Sequence, residues 1–213
     1  MNKTELLSVL LGPKTDRDRQ TAIGPSQIGG CKRKVWMQLK DQPRVNETSK
    51  MAAWMGTAIH TAIEKHFEYA DPFGERYQRE VEVEFGGLKG HVDLYDVVEN
   101  EVIDWKTTTK RRLGDNFPSD QQWQQVQLYG WLLSNNGYAV EKVTLVGIAR
   151  DGNEDHIQIE SQLYDVGAAM AGLQWLKEVE DAVEVPEPEK NKRFCANYCV
   201  FYDRNGEVGC PGM

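Results

Sequence analysis

Apolar and polar positions along the chain repeat with two periods, and each period predicts an element. From Arg79 to Phe85, Glu80, Glu82 and Glu84 alternate with Val81, Val83 and Phe85, which predicts a strand. Alternation resumes between Gly90 and Lys106 in two halves. His91, Asp93, Tyr95 and Val97 oppose Val92 and Leu94, and then Ile103 and Trp105 oppose Asp104 and Lys106. Turn signals at Gly86-Gly87 and Glu99-Asn100 join the three runs into an antiparallel meander. With an even-numbered loop centred on Glu99-Asn100, Asp93 is expected opposite Lys106 and Tyr95 opposite Asp104, with Leu94 meeting Trp105 on the other face.

Helical spacing marks three longer segments. Met51 to Ala70 carries a stripe of Ile59, Ile63 and Phe67; Ser119 to Asn135 opens with a capping box of Ser119 and Gln122; Asp165 to Val183 carries Ala169, Leu173, Leu176 and Val179. Ser26 is expected to cap a further helix that presents Cys31. Two more strands, Val140 to Arg150 and His156 to Leu163, flank a turn at Asp151-Gly152-Asn153. Residues 1–24 read as an N-terminal extension, 25–185 as the core and 186–213 as a tail, entered through the proline-broken acidic stretch Val185 to Glu189.

At 213 residues and 40% apolar content, the chain can bury one sizeable core. No stretch reaches the ~20 apolar residues of a membrane span, and Leu6 to Leu11 is too short for a secretory segment, so a soluble cytoplasmic protein is expected. A net charge of -8 argues against a general polyanion-coating protein and weakens non-specific attraction to nucleic acid. The basic residues are nevertheless grouped: Lys32, Arg33 and Lys34; Lys106, Lys110, Arg111 and Arg112; Lys190, Lys192 and Arg193. These groups flank the residues with candidate chemistry and suit a phosphate-tracking path.

That chemistry centres on Asp93, Asp104 and Lys106. Two neighbouring carboxylates repel unless a cation lies between them, and oxygen ligation suits Mg2+ or Mn2+. Lys106 is then placed to polarise water or to stabilise charge on a phosphate. His60, on the edge of the first helical stripe, would add an imidazole and favour Mn2+. Gln125 and Tyr129 lie one turn apart on their helix, beside Gln122, where they can bind a phosphate or a base or hold the lysine. Cys31, Cys195, Cys199 and Cys210 could be zinc ligands, iron–sulfur ligands, two disulfides or core residues. Lack of a secretory signal argues against disulfides, and the spacing favours a metal centre tying the tail to the Cys31 helix.

Taken in order, Gly56-Thr57-Ala58-Ile59-His60, Gly90-His91-Val92-Asp93, Ile103-Asp104-Trp105-Lys106-Thr107 and Gln125-x-x-x-Tyr129 resemble the RecB-like nucleases of the PD-(D/E)xK superfamily. With the four cysteines the chain further resembles the iron–sulfur subgroup, which includes CRISPR-associated RecB-like exonucleases, AddB-type nuclease domains and related phage exonucleases. The resemblance implies an α/β (α+β) fold with a restriction-endonuclease-like core, a central mixed sheet flanked by helices and a cysteine-rich tail. It also implies metal-dependent DNA exonuclease activity for recombination, repair or phage DNA processing. His60, Asp93, Asp104 and the Trp105 carbonyl would hold Mg2+ or Mn2+, and Lys106 would position the attacking water. Gln125 and Tyr129 would contact DNA or support the lysine, with Lys110, Arg111 and Arg112 also on the DNA. The cysteines would hold a 4Fe–4S cluster; their spacing, wider than the family's compact triplet, leaves structural zinc open. DNA is the implied partner, alongside a protein such as a helicase or recombinase. The competing function is a non-catalytic DNA-docking or scaffolding subunit.

Overall fold

Gly86 and Gly87, with φ of 58° and 83°, supply the left-handed backbone that a two-residue hairpin turn requires, and they close the first hairpin of the sheet. The computed structural model describes residues 2–11 and 22–213. Its helices are α1 (Lys3–Leu11), α2 (Lys32–Leu39), α3 (Met51–Ala70), α4 (Asp120–Asn135), α5 (Val166–Asp181) and α6 (Lys192–Tyr198). Its strands are β1 (Tyr77–Phe85), β2 (Leu88–Asp96), β3 (Glu101–Thr108), β4 (Lys142–Ala149) and β5 (Ile157–Leu163). Two compact units are formed. One comprises Met1–Ile23, Cys31–Ala58 and Val179–Met213; the other comprises Gly24–Gly30 and Ile59–Glu178 and contains the sheet.

The five strands are ordered β1-β2-β3-β4-β5, antiparallel except for the β3–β4 pair, so the sheet is mixed as expected. A parallel neighbour needs a crossover, and α4 provides it. Val126, Leu128, Leu132 and Leu133 are fully buried as α4 crosses β1 to β4. On the opposite face the Phe67 ring, late in α3, packs 5.0 Å from Tyr77 and 5.7 Å from Trp105. The sheet is therefore flanked by helices in a restriction-endonuclease-like arrangement. No helix of the described residues is long and apolar enough to cross a membrane.

The β2–β3 register differs from the expected one. Leu94 lies opposite Ile103, Tyr95 opposite Val102 and Asp96 opposite Glu101, so Asp93 does not face Lys106, Tyr95 does not face Asp104 and Leu94 does not meet Trp105. The cause is the loop, which spans residues 97–100 and wraps around Asp96. That carboxylate accepts from the Val98 and Glu99 N–H groups and from Arg76, at 2.8 to 3.1 Å for the guanidinium, while Asn100 takes a φ of 49°. The loop is still even-numbered, so the alternation of faces survives a shift of two residues. Ladder pairing stops at Leu94–Ile103, and beyond it the Trp105 N–H donates to Asp93 Oδ2 at 2.8 Å.

Ser26 does not cap a helix. Pro25–Gln27 form a single 3-10 turn, and α2 starts at Lys32 with Cys31 in the cap position. Gly29, at a φ of 75°, breaks the run, and a side chain at Gly30 would come within 2.9 Å of Gln121 on α4. Close approach of this turn to α4 takes precedence over helical continuity. Asp96→Ala should lower stability by about 2–4 kcal/mol in urea denaturation, because the turn N–H groups and Arg76 lose their buried acceptor.

Candidate active site

The middle of β3 and one face of α4 share a buried polar network. Asp104 is only 2% exposed. Its Oδ2 lies 2.6 Å from Lys106 Nζ, and that ammonium donates to Gln125 Oε1 at 2.9 Å. Gln125 Nε2 donates to Asp104 Oδ1 at 3.2 Å and to the Tyr129 hydroxyl at 3.1 Å. One amide thus joins carboxylate, ammonium and phenol. Local sequence explains the geometry. Asp104 and Lys106 share a strand face, Gln125 and Tyr129 share a helix face, and the Ser119–Gln122 capping box fixes where α4 begins. Gly90 completes it, since a side chain there would come within 2.8 Å of the Tyr129 ring.

Asp93 and His60 form the second half. His60 Nδ1 approaches Asp93 Oδ1 to 3.5 Å, and the other carboxylate oxygen accepts from the Trp105 N–H. The hydrogen bond to Asp93 raises the His60 pKa against the opposing effect of burial. Burial pushes the Asp104 carboxyl up to about 6, with Lys106 opposing and Asp93 reinforcing the shift. The Tyr129 hydroxyl is raised by burial and then by the charge of Asp104.

His60, Asp93, Asp104, Lys106, Gln125 and Tyr129 are therefore brought together by three elements and the adjoining strand. Gln125 and Tyr129, each 7% exposed, are buried parts of the network. Gln122 is not beside them; its side chain is engaged in the cap. The Trp105 side chain points away, to Phe67. Lys110, Arg111 and Arg112 form an exposed 3-10 turn just past β3, held where the Lys110 N–H donates to Asp151.

Glu80 belongs near this site, whereas its alternation with Glu82 and Glu84 favours a solvated strand face over a metal contact for Glu80 or Glu82. Those two pair outward, with His91 at 3.7 Å and Lys89 at 2.7 Å. Glu80 takes a φ of 44° at the position across from Asp93, and its charge contributes to raising the Tyr129 hydroxyl. Glu80 is half-buried where Glu82 and Glu84 are exposed.

The cysteines lie in the other unit, all as free thiols. Cys195, Cys199 and Cys210 are buried in one cluster with Met37 and Phe201. Burial and then the neighbouring thiols, Cys31 among them, push Cys195 up to about 11; burial also raises Cys199. Among the described residues no group of three or more His, Cys, Asp or Glu side chains is spaced to hold a metal ion. The donor chemistry of both places nevertheless fits one. Asp104 Oδ2 is buried and makes no well-directed hydrogen bond despite the nearby ammonium, and two carboxylates with an imidazole are the donors that Mg2+ or Mn2+ takes. Four thiols suit an iron–sulfur cluster or zinc.

Asp104 gives a signed pH dependence. Its folded pKa is raised, so the folded state holds a proton that the unfolded state releases, and stability falls as pH rises from 3.8 to about 6. Asp104→Asn should remove this decline and, in EDTA above pH 6, raise the thermal unfolding midpoint over that of the parent protein.

No curated protein matches the sequence. In fold, the chain is similar to SSO0001, with a TM-score of 0.57 and 20% identity over 93% of this chain and 91% of that one. It is also similar to an alkaline exonuclease (LHK-Exo) from Laribacter hongkongensis, with a TM-score of 0.52 and 10% identity over 76% of this chain and 88% of that one. The model of the PD-(D/E)XK nuclease superfamily matches residues 70–204, a span that takes in Asp93, Asp104, Lys106, Gln125 and Tyr129 and well over half of the sequence. The chain belongs to the PD-(D/E)XK nuclease superfamily.

Proposed function

We propose that this nuclease is a divalent-metal-dependent exonuclease that hydrolyses DNA phosphodiester bonds in recombination, repair or phage DNA processing. The observation that carries the reading is the network in which Gln125 fixes Lys106 against the buried Asp104, next to Asp93 and His60. A lysine held in this way has lost its freedom before substrate arrives, which is what electrostatic preorganisation requires.

His60, Asp93 and Asp104, with the Trp105 carbonyl, would hold Mg2+ or Mn2+. When bound, the ion supplies charge neutralisation for the phosphate and lowers the pKa of attacking water. Lys106 orients that water and stabilises negative charge as it develops on the phosphate. Gln125 keeps the ammonium in place through its carbonyl and the carboxylate through its amide. Tyr129, an un-ionised donor and acceptor behind Gln125, acts as a positioning residue and not as a DNA contact. Lys110, Arg111 and Arg112 are exposed and take the phosphate backbone. The exonucleolytic mode draws on the fold shared with LHK-Exo, an alkaline exonuclease. Residues 25–185 would be the nuclease core, with Cys31 joining the cysteines of the tail, residues 186–213, around a 4Fe–4S cluster. A helicase or recombinase is the class of protein partner that suits such an activity.

With end-labelled linear single-stranded and duplex DNA, anaerobically purified protein should remove label in Mg2+ or Mn2+ and not in EDTA. Lys106→Ala should slow this by about a hundredfold or more while keeping DNA affinity within a few-fold. Retained binding without cleavage by the parent protein under any of these conditions would overturn the reading. For the thiols, Cys199→Ser should abolish an absorbance band at about 400 nm and loosen the tail. A colourless parent protein containing zinc would instead establish a structural zinc site.

A further inference from the structure

Helix α6 turns one side of its surface inward and the other outward. Cys195 and Cys199, one turn apart, are buried in the thiol cluster. Phe194 and Tyr198, also one turn apart, remain 42% and 50% exposed with ring centroids 5.1 Å from each other. Two exposed aromatic rings side by side on a short helix are out of place on an ordinary solvated face. Around them the sequence from Lys190 to Tyr198 carries Lys190, Lys192 and Arg193 and no acidic residue, in a chain whose net charge is -8. All three cations are exposed.

The nearest acidic residues in sequence are engaged with backbone. Glu189 accepts from the Lys32 N–H at 2.9 Å, and Asp203 accepts from the Asn205, Val208 and Gly209 N–H groups. The patch is also held in shape. Asn191 caps α6 by accepting from the Phe194 N–H at 2.9 Å. The Lys190 carbonyl accepts from the Met213 N–H at 2.9 Å, and the Lys192 N–H donates to the Met213 carbonyl at 3.3 Å. Cys195 and Cys199 anchor the inner side. The outer face is thus an ordered aromatic step rimmed by positive charge.

We infer that Phe194 and Tyr198, with Lys190, Lys192 and Arg193, form a docking surface for single-stranded DNA that shares no residue with the polar network around Asp104. Choosing a nucleic acid as the occupant rests on the DNA substrate proposed above; choosing a single strand rests on the patch. Exposed rings stack on bases, and bases offer free faces only where they are unpaired, while the lysines and arginine meet the phosphates. A duplex would engage the cations and leave the rings without partners. Binding here depends on ring faces and charge, and so is tolerant of base sequence.

The test measures binding of end-labelled oligothymidylate and of a duplex of equal length, in EDTA and in the Lys106→Ala protein, so that no cleavage intervenes. The combined Phe194→Ala and Tyr198→Ala change should weaken oligothymidylate by about tenfold or more and the duplex by less than about twofold. Phe194→Leu with Tyr198→Leu keeps an apolar pair on the helix but removes the ring faces. It should give the same loss, which separates stacking from damage to α6. Lys192→Ala with Arg193→Ala should reduce the slope of log affinity against log salt by roughly 1.4 for the single strand. Oligothymidylate affinity within about twofold of the parent for the leucine pair, or an equal loss for both DNAs, would overturn the assignment. Failure of the nuclease reading itself would show as absent cleavage in the earlier assay and leave this binding difference readable.

Discussion

Burying the carboxylate of Asp104 is the constraint around which the sheet-bearing unit is arranged. A charge removed from water is costly unless it meets an opposite charge and hydrogen-bond donors, and here the compensation comes from Lys106 and the Gln125 amide. Compensation is incomplete: Asp104 Oδ2 is buried without a well-directed hydrogen bond, and burial raises the carboxyl pKa. That residual cost is one that the cation proposed above would offset.

The topology makes such burial possible. Because β4 runs parallel to β3, the connecting chain has to cross the sheet, and α4 lies over the strand face that carries Asp104 and Lys106. A hairpin connection between these strands would have left that face without a helix to supply Gln125 and Tyr129. Glycine at position 90 then lets the Tyr129 ring reach the strands. On the other side of β3 the ladder ends early, and Asp93 replaces a missing backbone partner by accepting from Trp105. The interrupted pairing frees the second carboxylate for the site and holds it there.

The thiol unit solves a different problem. Its three tail cysteines lie inside an apolar cluster with Met37 and Phe201, while Asn46 donates its side-chain amide to the Ala196 and Cys199 carbonyls. Residues 31–58 therefore belong to the same unit as the tail. One face of α6 is fixed by that burial, which leaves the other available for an external partner.

Much of this was legible in residue patterns. Alternation located β1, β2 and β3, the Ser119–Gln122 box set the start of α4, and the ordered motifs around Asp93, Asp104, Lys106, Gln125 and Tyr129 carried the family resemblance. These are local signals: a two-residue or 3.6-residue period and a cap depend only on neighbours in the chain. The exact pairing of β2 with β3 was not legible, since the shape of the loop depends on Asp96 being gripped by Arg76 twenty residues earlier. Nor was the burial of Gln125 between Lys106, Asp104 and Tyr129, which depends on how α4 packs against the sheet. The sequence could not tell Glu80 from Glu82 as the residue nearer the site; a left-handed backbone and partial burial set Glu80 apart. Sequence by itself determined the family resemblance, most of the elements and the residues proposed for the chemistry. Tertiary structure alone decided register, burial and the partner of each charge, because those depend on groups that the fold brings together from distant parts of the chain.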